Sequence, residues 1–491
     1  PQFIVDGATR LDICQGKLND CWLLSAIASL SVHRSLLKKV VPLEQNFQDG
    51  YNGSFTFRFW QYGQWEEVRI DDLLPTQNNN LIYLSSPEKH EFWSSLLEKA
   101  YAKLKGGYRA LDMGFPHEAM VDMTGGVTEV LKVLSLPRDL PAFLRNLLAK
   151  GALINCANTQ GPLEQQSELG IMYRHAYSLT AVEKVKTAHG IVDLVRIMNP
   201  WGNTEWQGPW SDLKGPEWNT VSVEEQQRLG RVRREDGEFW MSVSDFRQHF
   251  EMMEVCHLTE TLSRSGCSVS PWCCIIHHGS WVPNITNPQF YFILSEVDSC
   301  PERSKKTCSF VLALMQKFQR RRGIDLAIAL HNTYLSPNDL RACPPILCSP
   351  QYSSRREVVL RGSLPPGRYV IVPSTSEPNQ QGDFLLRVLT ERVLAGSEKY
   401  LALEHCKSLV VLMDLVGLRY TEPDMTISYP GFLYLLMKLE SMIHKFQAYD
   451  MVGMGTVTIS YRQVGSSLHF AHRREIIKER SFSSNMTSGE L

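Results

Sequence analysis

Gln15-Gly16-Lys17-Leu18-Asn19-Asp20-Cys21-Trp22 leads straight into the apolar run Leu23-Leu24-Ser25-Ala26-Ile27-Ala28-Ser29-Leu30. The run makes about two and a half helical turns and is apolar on nearly every side, the pattern of a buried helix. Asn19 and Asp20 stand where an N-cap is wanted, which puts Cys21 in the first turn. Unpaired N–H groups and the positive end of the helix dipole favour a thiolate there. Gln15, one loop upstream, carries a side-chain amide suited to stabilising an oxyanion. Taken alone, a cysteine at this place reads first as a buried reduced thiol. Partners further along the chain decide.

At 491 residues the chain has room for three or four domains, and with 43% hydrophobic and 21% charged residues it has material for several cores. Lys plus Arg total 51 against 52 for Asp plus Glu, so nucleic acid is not expected as a partner. The twelve cysteines show no repeated CxxC spacing, which speaks for reduced thiols in a cytoplasmic protein rather than zinc or a disulfide framework. No leader opens the chain and no apolar run reaches about 18 residues. The abrupt start at Pro1 reads as the loss of a preceding segment.

After the Cys21 helix, Phe55, Phe57 and Phe59 alternate with polar residues and Tyr62-Gly63 punctuates, predicting a hairpin. Trp93, Leu96, Leu97, Ala100, Tyr101 and Leu104 predict an amphipathic helix, and Thr124-Gly125-Gly126 a break between two lobes. A helix over 141–150 and a strand over 152–157 follow. Two further strands, His175–Val185 and Ile191–Met198, flank a short polar link. A hairpin centred near Thr187 places His175 and Asn199 nearly opposite each other, within side-chain reach. A histidine oriented by an Asn amide serves as general base to a thiol. A cysteine at a helix start, a His and an Asn on paired strands, and a Gln before the cysteine favour cysteine-protease chemistry over a satisfied strand histidine.

These residues also carry a family resemblance. QGKLNDCWLLSAIASL, EFWSSLLEKAYAKL, RHAYSLT, MNPWG and REDGEFWMS, spread over 2–257 in order and spacing, resemble the catalytic core of calpains, calcium-dependent intracellular cysteine proteases. The resemblance implies an α+β fold with a two-lobed papain-like core. Lobe 1 spans 1–125 with the cysteine, and lobe 2 spans 126–258 with the His and Asn. It implies a triad of Cys21, His175 and Asn199 with Gln15 at the oxyanion. Trp201 would shield the His–Asn pair, Trp22 would support the site, and Gly114 and Arg174 would line the substrate cleft. Two positions depart from the family: Arg174 replaces a Gly and is expected to narrow the cleft or repel basic substrates, and Asn19 replaces another.

Acidic residues in turn-rich sequence, Glu205, Asp212, Asp236 and Glu238, suit Ca²⁺ better than Zn²⁺ or Mg²⁺, although solvated loop carboxylates give the same pattern. The resemblance implies two calcium sites in the core. One uses Asp12 and Glu91 with the carbonyls of Val5 and Gly7. The other uses Glu205, Asp212, Asp236 and Glu238 with the carbonyl of Arg234. Calcium is then expected to draw splayed lobes together and assemble the triad, with Arg10 bridging the lobes through Glu238.

From Gly279 onwards short strands separated by Pro365-Pro366-Gly367 and Gln381-Gly382-Asp383 predict an antiparallel β-sandwich. GSWV, NPQF, LPPGRYVIVPS and GDFLLRV resemble the C2-like sandwich of the same family, placed at 265–395. Lys305, Lys306, Lys317 and Arg320 to Arg322 make it locally basic, a solvated surface or a contact for acidic phospholipid. The stretch 396–491 resembles a truncated, degenerate penta-EF-hand region with a disordered end. Its one recognisable loop starts at Asp450 but carries Val452, Met454 and Tyr461 at ligand positions, so no calcium is expected there, and pairing with a small EF-hand subunit stays open. The function so implied is a calcium-activated endopeptidase making limited cuts in proteins. A calcium-responsive binding scaffold with little turnover is the alternative, motivated by Arg174 and the short tail.

Overall fold

The buried helix read from the sequence is α1, Cys21–Ser31, with every residue after Cys21 buried. The computed structural model describes residues 1–391 apart from 164, 260–271, 285–286, 296, 299–305, 318–322 and 337. These all belong to the first of two compact units, Pro1–Glu404. The EF-hand-like region expected at 396–491 lies outside the described residues, as do Lys305 and Arg320 to Arg322 of the basic group.

Around α1 gather α2 (Arg34–Val40), the hairpin β1 (Ser54–Gln61) and β2 (Gln64–Asp71), a two-residue hairpin β3 (Thr76–Gln77) and β4 (Asn80–Leu81), α3 (Trp93–Lys105) and α4 (Pro116–Thr124). The three alternating phenylalanines of β1 point into this first core and are at most 1% exposed. Tyr62 and Gly63 both take positive φ, 45° and 99°, the conformation a two-residue hairpin turn requires. Gly125, φ 70°, caps α4.

A second core forms on a six-stranded antiparallel sheet in the order β5-β10-β6-β7-β8-β9. In chain order this part comprises β5 (Val127–Lys132), α5 (Leu140–Ala149), β6 (Leu153–Asn158), β7 (His175–Thr187), β8 (Gly190–Met198), α6 (Val223–Arg228), β9 (Glu238–Ser242), α7 (Val243–His249) and β10 (Met252–His257). Helix α1 lies against this sheet through Ser25 and Ser29: Ser178 Oγ donates to Ser25 O at 2.8 Å, Asn155 Nδ2 to Ser25 Oγ at 2.7 Å, and Ser29 Oγ to Asn155 Oδ1 at 2.9 Å. Two of the helix's three serines thus face this sheet, and the third, Ser31, donates to Ala28 O of its own helix at 2.8 Å.

The sandwich has two four-stranded antiparallel sheets, β11-β18-β13-β16 and β12-β17-β14-β15. Its strands are β11 (Cys273–Trp281), β12 (Phe290–Leu294), β13 (Cys308–Gln316), β14 (Leu326–His331), β15 (Leu347–Cys348), β16 (Glu357–Leu364), β17 (Gly367–Thr375) and β18 (Gly382–Thr390). Its core runs from Trp281 to Val388. Arg387 of β18, 1% exposed, donates to the carbonyls of Gly125 and Gly126 at 2.8 and 2.9 Å, so the predicted interlobe break is gripped by the sandwich. The described part is α+β. Among the described residues no helix is long and apolar enough to cross a membrane.

Candidate active site

Cys21 is the first residue of α1 and is half-buried. Asp20 is the N-cap, yet its side chain makes no capping bond; instead its carbonyl accepts the N–H groups of Leu23 and Leu24 at 2.8 and 3.1 Å. His175 opens β7 and is 1% exposed; Asn199 follows β8 and is fully buried. The hairpin turns at Ala188-His189 rather than at Thr187, and its register slips between Leu179 and Ala181, ending at Ser178↔Met198. Extended, that register sets Tyr177 opposite Asn199, so His175 and Asn199 are diagonal neighbours and not directly opposed. Their side chains still meet, with His175 Nε2 at 2.8 Å from Asn199 Oδ1.

The asparagine leaves the imidazole no choice of tautomer. Asn199 Nδ2 donates to the carbonyls of Asn203 and Thr204 at 2.8 and 2.9 Å, so its Oδ1 must face the ring and accept from Nε2–H. Nδ1 therefore bears the lone pair, and it has no hydrogen-bond partner among the described residues. Burial outweighs the Asn199 bond and lowers the His175 pKa to about 4. Trp201 lies over the ring, centroids 4.7 Å apart, and its N–H donates to Asn199 Oδ1 at 3.0 Å. Tyr177 meets His175 edge-on at 5.1 Å, and the charge of Cys21 reaches its hydroxyl.

Gln15 is held rather than free to swing. Its Oε1 accepts from Trp201 Nε1 at 2.6 Å and its Nε2 donates to Leu18 O at 2.8 Å, leaving one N–H of the amide. Arg10 Nε donates to Glu238 Oε2 at 2.6 Å, a second link between the lobes. Trp22 Nε1 donates to Leu111 O at 2.9 Å, and Gly114 packs so tightly on the Trp22 indole that a Cβ would lie 2.4 Å from it. Arg174 is exposed with φ 52°, in the left-handed region that favours glycine, whereas Asn19 is not; the Asn19 amide donates to Asp112 at 2.9 Å.

In the first carboxylate loop Glu91, 3% exposed, accepts from Val5 N at 2.8 Å and Ser86 Oγ at 2.9 Å. Asp12 accepts from Thr9 N at 2.6 Å and Trp93 Nε1 at 3.1 Å, and Gly7 turns the loop with φ 93°. In the second, Glu205 Oε1 accepts from the N–H groups of Asp236 and Gly237 at 2.7 and 2.9 Å. Arg234 lies 3.8 Å from Asp236. Asp212 is 4% exposed and its Oδ1 has no hydrogen-bond partner among the described residues. Burial first, then the neighbouring carboxylates, push Glu205 up to about 7 and Asp212 up to about 8. Carboxylate and carbonyl oxygens are the donors a hard cation takes, while in the arrangement seen here no three His, Cys, Asp or Glu side chains among the described residues stand close enough together to hold one.

A model of the calpain family cysteine protease matches residues 1–257, and one of the calpain large subunit, domain III, matches 283–389. The calpain-1 catalytic subunit of Mus musculus is 44% identical over 432 residues, covering 81% of this chain and 60% of that protein. Calpain-9 of Rattus norvegicus is 42% identical over 419 residues, covering 80% of this chain and 60% of that protein. These matches define the class, a calpain-type cysteine protease. The chain belongs to the calpain family. It spans about 60% of the length of the curated relatives it matches.

Proposed function

We propose that this chain is a calcium-activated cysteine endopeptidase making limited cuts in proteins, with the cleft between lobes 1–125 and 126–258. The observation that carries the reading is the unpartnered Nδ1 lone pair of a buried histidine whose other nitrogen is fixed by Asn199. The Cys21 thiol gives its proton to Nδ1, and the thiolate attacks the scissile carbonyl carbon. The Gln15 amide and the Cys21 N–H stabilise the oxyanion. The imidazolium then protonates the leaving amine, and the same nitrogen activates the water that cleaves the thioester. Asn199 and Trp201 keep the ring in place and water off it.

Asp12 and Glu91, with the Val5 and Gly7 carbonyls, and Glu205, Asp212, Asp236 and Glu238, with the Arg234 carbonyl, would hold the ions. Bound Ca²⁺ supplies positive charge that relieves the mutual repulsion of these buried carboxylates. A cytoplasmic setting is supported by the nine described cysteines, all free thiols.

The test is a calcium titration of casein cleavage against Cys21→Ser. Cleavage that needs Ca²⁺ and is lost in the variant is expected; cleavage unchanged by a chelator refutes the switch. Epoxide labelling of Cys21 without casein cleavage would instead favour the binding scaffold.

A further inference from the structure

The hydrogen bond to Asn199 fixes one corner of the His175 ring and no more. A ring held through Nε2 alone still rocks about that contact, and the rocking carries Nδ1, the nitrogen that takes the thiol proton in the proposed reaction. Two aromatic rings oppose it. Trp201 lies at 4.7 Å with its plane tilted by 56°, but it stands in the loop after β8 and its indole N–H is committed to Gln15. Tyr177 is on the histidine's own strand, two residues along β7, so the two side chains share one face. Their rings meet at 90° with centroids 5.1 Å apart, the edge-to-face arrangement that aromatic pairs prefer.

Tyr177 can hold another ring because it is itself held from several elements. It is fully buried, and its backbone pairs with Cys156 of β6. Its ring meets Phe250, after α7, at 5.4 Å and Phe239 of β9 at 6.3 Å, both edge-on. Its hydroxyl accepts from Met172 N at 2.8 Å, which supplies the polar partner a buried tyrosine needs. Met172 belongs to the segment that enters β7, and that segment is tied down again where Tyr173 N donates to Gln165 O at 2.9 Å and Arg174 N to Asn158 O at 2.6 Å. One side chain therefore touches the imidazole and also moors the backbone leading into it.

We propose that Tyr177 is a positioning residue for the reaction, its ring holding the His175 imidazole at the angle from which Nδ1 takes and returns the proton. This rests on Cys21 and His175 being the reacting pair. Without the tyrosine ring the imidazole keeps its bond to Asn199 but tilts about it, and the space opened beside it admits water.

The test uses the full chain with calcium present and a fluorogenic peptide. Tyr177→Leu, which removes the ring, should lower kcat about 100-fold, the scale of an ångström-size misplacement, with KM changed less than about threefold. Tyr177→Phe, which keeps the ring and its aromatic neighbours, should hold kcat within about threefold of the unmodified chain. A loss of packing alone would leave the imidazole's own titration where it is, so the second readout is the His175 ring resonance. Burial holds that titration down to about 4, and water beside the ring in Tyr177→Leu should raise it by about 1 pH unit or more towards 6.5, with no such rise in Tyr177→Phe. Unchanged kcat in Tyr177→Leu, an unmoved titration there, or Tyr177→Phe as impaired as Tyr177→Leu overturns the proposal. Should Tyr177→Leu fail to fold, the mobility of the His175 ring in the unmodified chain decides. An order parameter near that of rigid backbone, about 0.85, is expected, and one below about 0.6 overturns it. Should the unmodified chain show no turnover, it is the protease reading that fails, and the titration of His175 in Tyr177→Leu still tests the hold of Tyr177 on the ring.

Discussion

Two histidines are buried at two different seams of this molecule. His175 opens β7 beside Asn199 and Trp201, and His257 ends β10, where Arg361 of the sandwich reaches it. Each is bonded through Nε2, and for each Nδ1 has no partner among the described residues. Their partners differ in charge. His175 has the neutral Asn199, so burial alone governs and its pKa falls to about 4. His257 lies 2.5 Å from Glu129, which Arg361 of β16 also engages at 2.9 Å from Nε and 2.5 Å from Nη2. There burial again lowers the imidazole, while the His257 bond and Arg361 outweigh desolvation and draw Glu129 down to about 2. An amide orients a ring without fixing a charge beside it, which leaves the lone pair free for a proton from a thiol. A carboxylate with a guanidinium makes a closed ion network, which holds surfaces together.

The largest expected effect separates chemistry from cohesion. His175→Ala should abolish peptide hydrolysis, a loss of about 10⁴-fold or more, with the melting temperature little changed. His257→Gln should leave kcat within about threefold, since its partners lie at the other seam. Hydrolysis of a fluorogenic peptide with a parallel thermal melt reads both. Comparable losses of kcat in the two variants would break the distinction.

Next comes the ion network itself. Arg361→Met leaves the buried Glu129 with His257 as its remaining partner and should cost about 2–3 kcal/mol, below the cost of breaking a fully buried pair because the Arg361 side chain is 34% exposed. Denaturant unfolding measures it. Glu129→Gln with Arg361→Met together should lose less than the single Arg361 variant, because no charge is stranded.

A third effect is set by pH. Between the ordinary histidine value of 6.5 and the folded value of about 4, the unfolded chain binds a proton at His175 and the folded chain does not. Stability is therefore flat above 6.5 and falls as pH drops towards 4, by about 3 kcal/mol from this one group. The difference in unfolding free energy between the unmodified chain and His175→Gln, measured across that window, isolates it. Asn199→Asp should make His175 resemble His257 and raise its titration by about 2 pH units, visible in imidazole chemical shifts.

These contrasts also mark what the sequence could reveal. The apolar run after Cys21, the alternating phenylalanines and the short punctuated strands announce helix α1, β1 and most of the sandwich, because each depends on local periodicity. His175 and Asn199 could be paired from a hairpin, although the slip between Leu179 and Ala181 has no signature in composition. Strand β11 was missed below Gly279 since Cys273 to His278 are mostly half-exposed and do not alternate cleanly. Asp20 reads as a helix cap and Glu98 as the polar face of an amphipathic helix. Both are buried in the fold, which neither local pattern announces. Glu129 and Arg361 stand 232 residues apart. One such signal was available: Arg387 inside Phe384-Leu385-Leu386-Arg387-Val388-Leu389 is a cation in an apolar strand, and that demands a buried partner, here Glu357 and the Gly125 and Gly126 carbonyls.

Each histidine also has an arginine for a neighbour, and the smallest expected effect comes from this last contrast. Arg361 is held in a network; Arg174 is exposed, precedes His175, and is pinned by its own N–H, which donates to Asn158 O at 2.6 Å. Its left-handed φ costs about 1 kcal/mol, but a glycine there would give back roughly 0.4–1 kcal/mol through the entropy of the unfolded chain. Arg174→Gly should thus change stability by less than about 0.5 kcal/mol, and its consequence lies in charge. An exposed cation beside His175 contributes at most about 1 kcal/mol to a passing acidic or basic residue, or about fivefold in relative kcat/KM. Matched peptides bearing Glu or Lys next to the scissile bond should differ by that factor in the unmodified chain and converge in Arg174→Gly. The difference should fade at about 1 M salt, where screening acts within about 3 Å. An unchanged Glu-to-Lys ratio in Arg174→Gly would mean that this arginine does not take part in reading substrate.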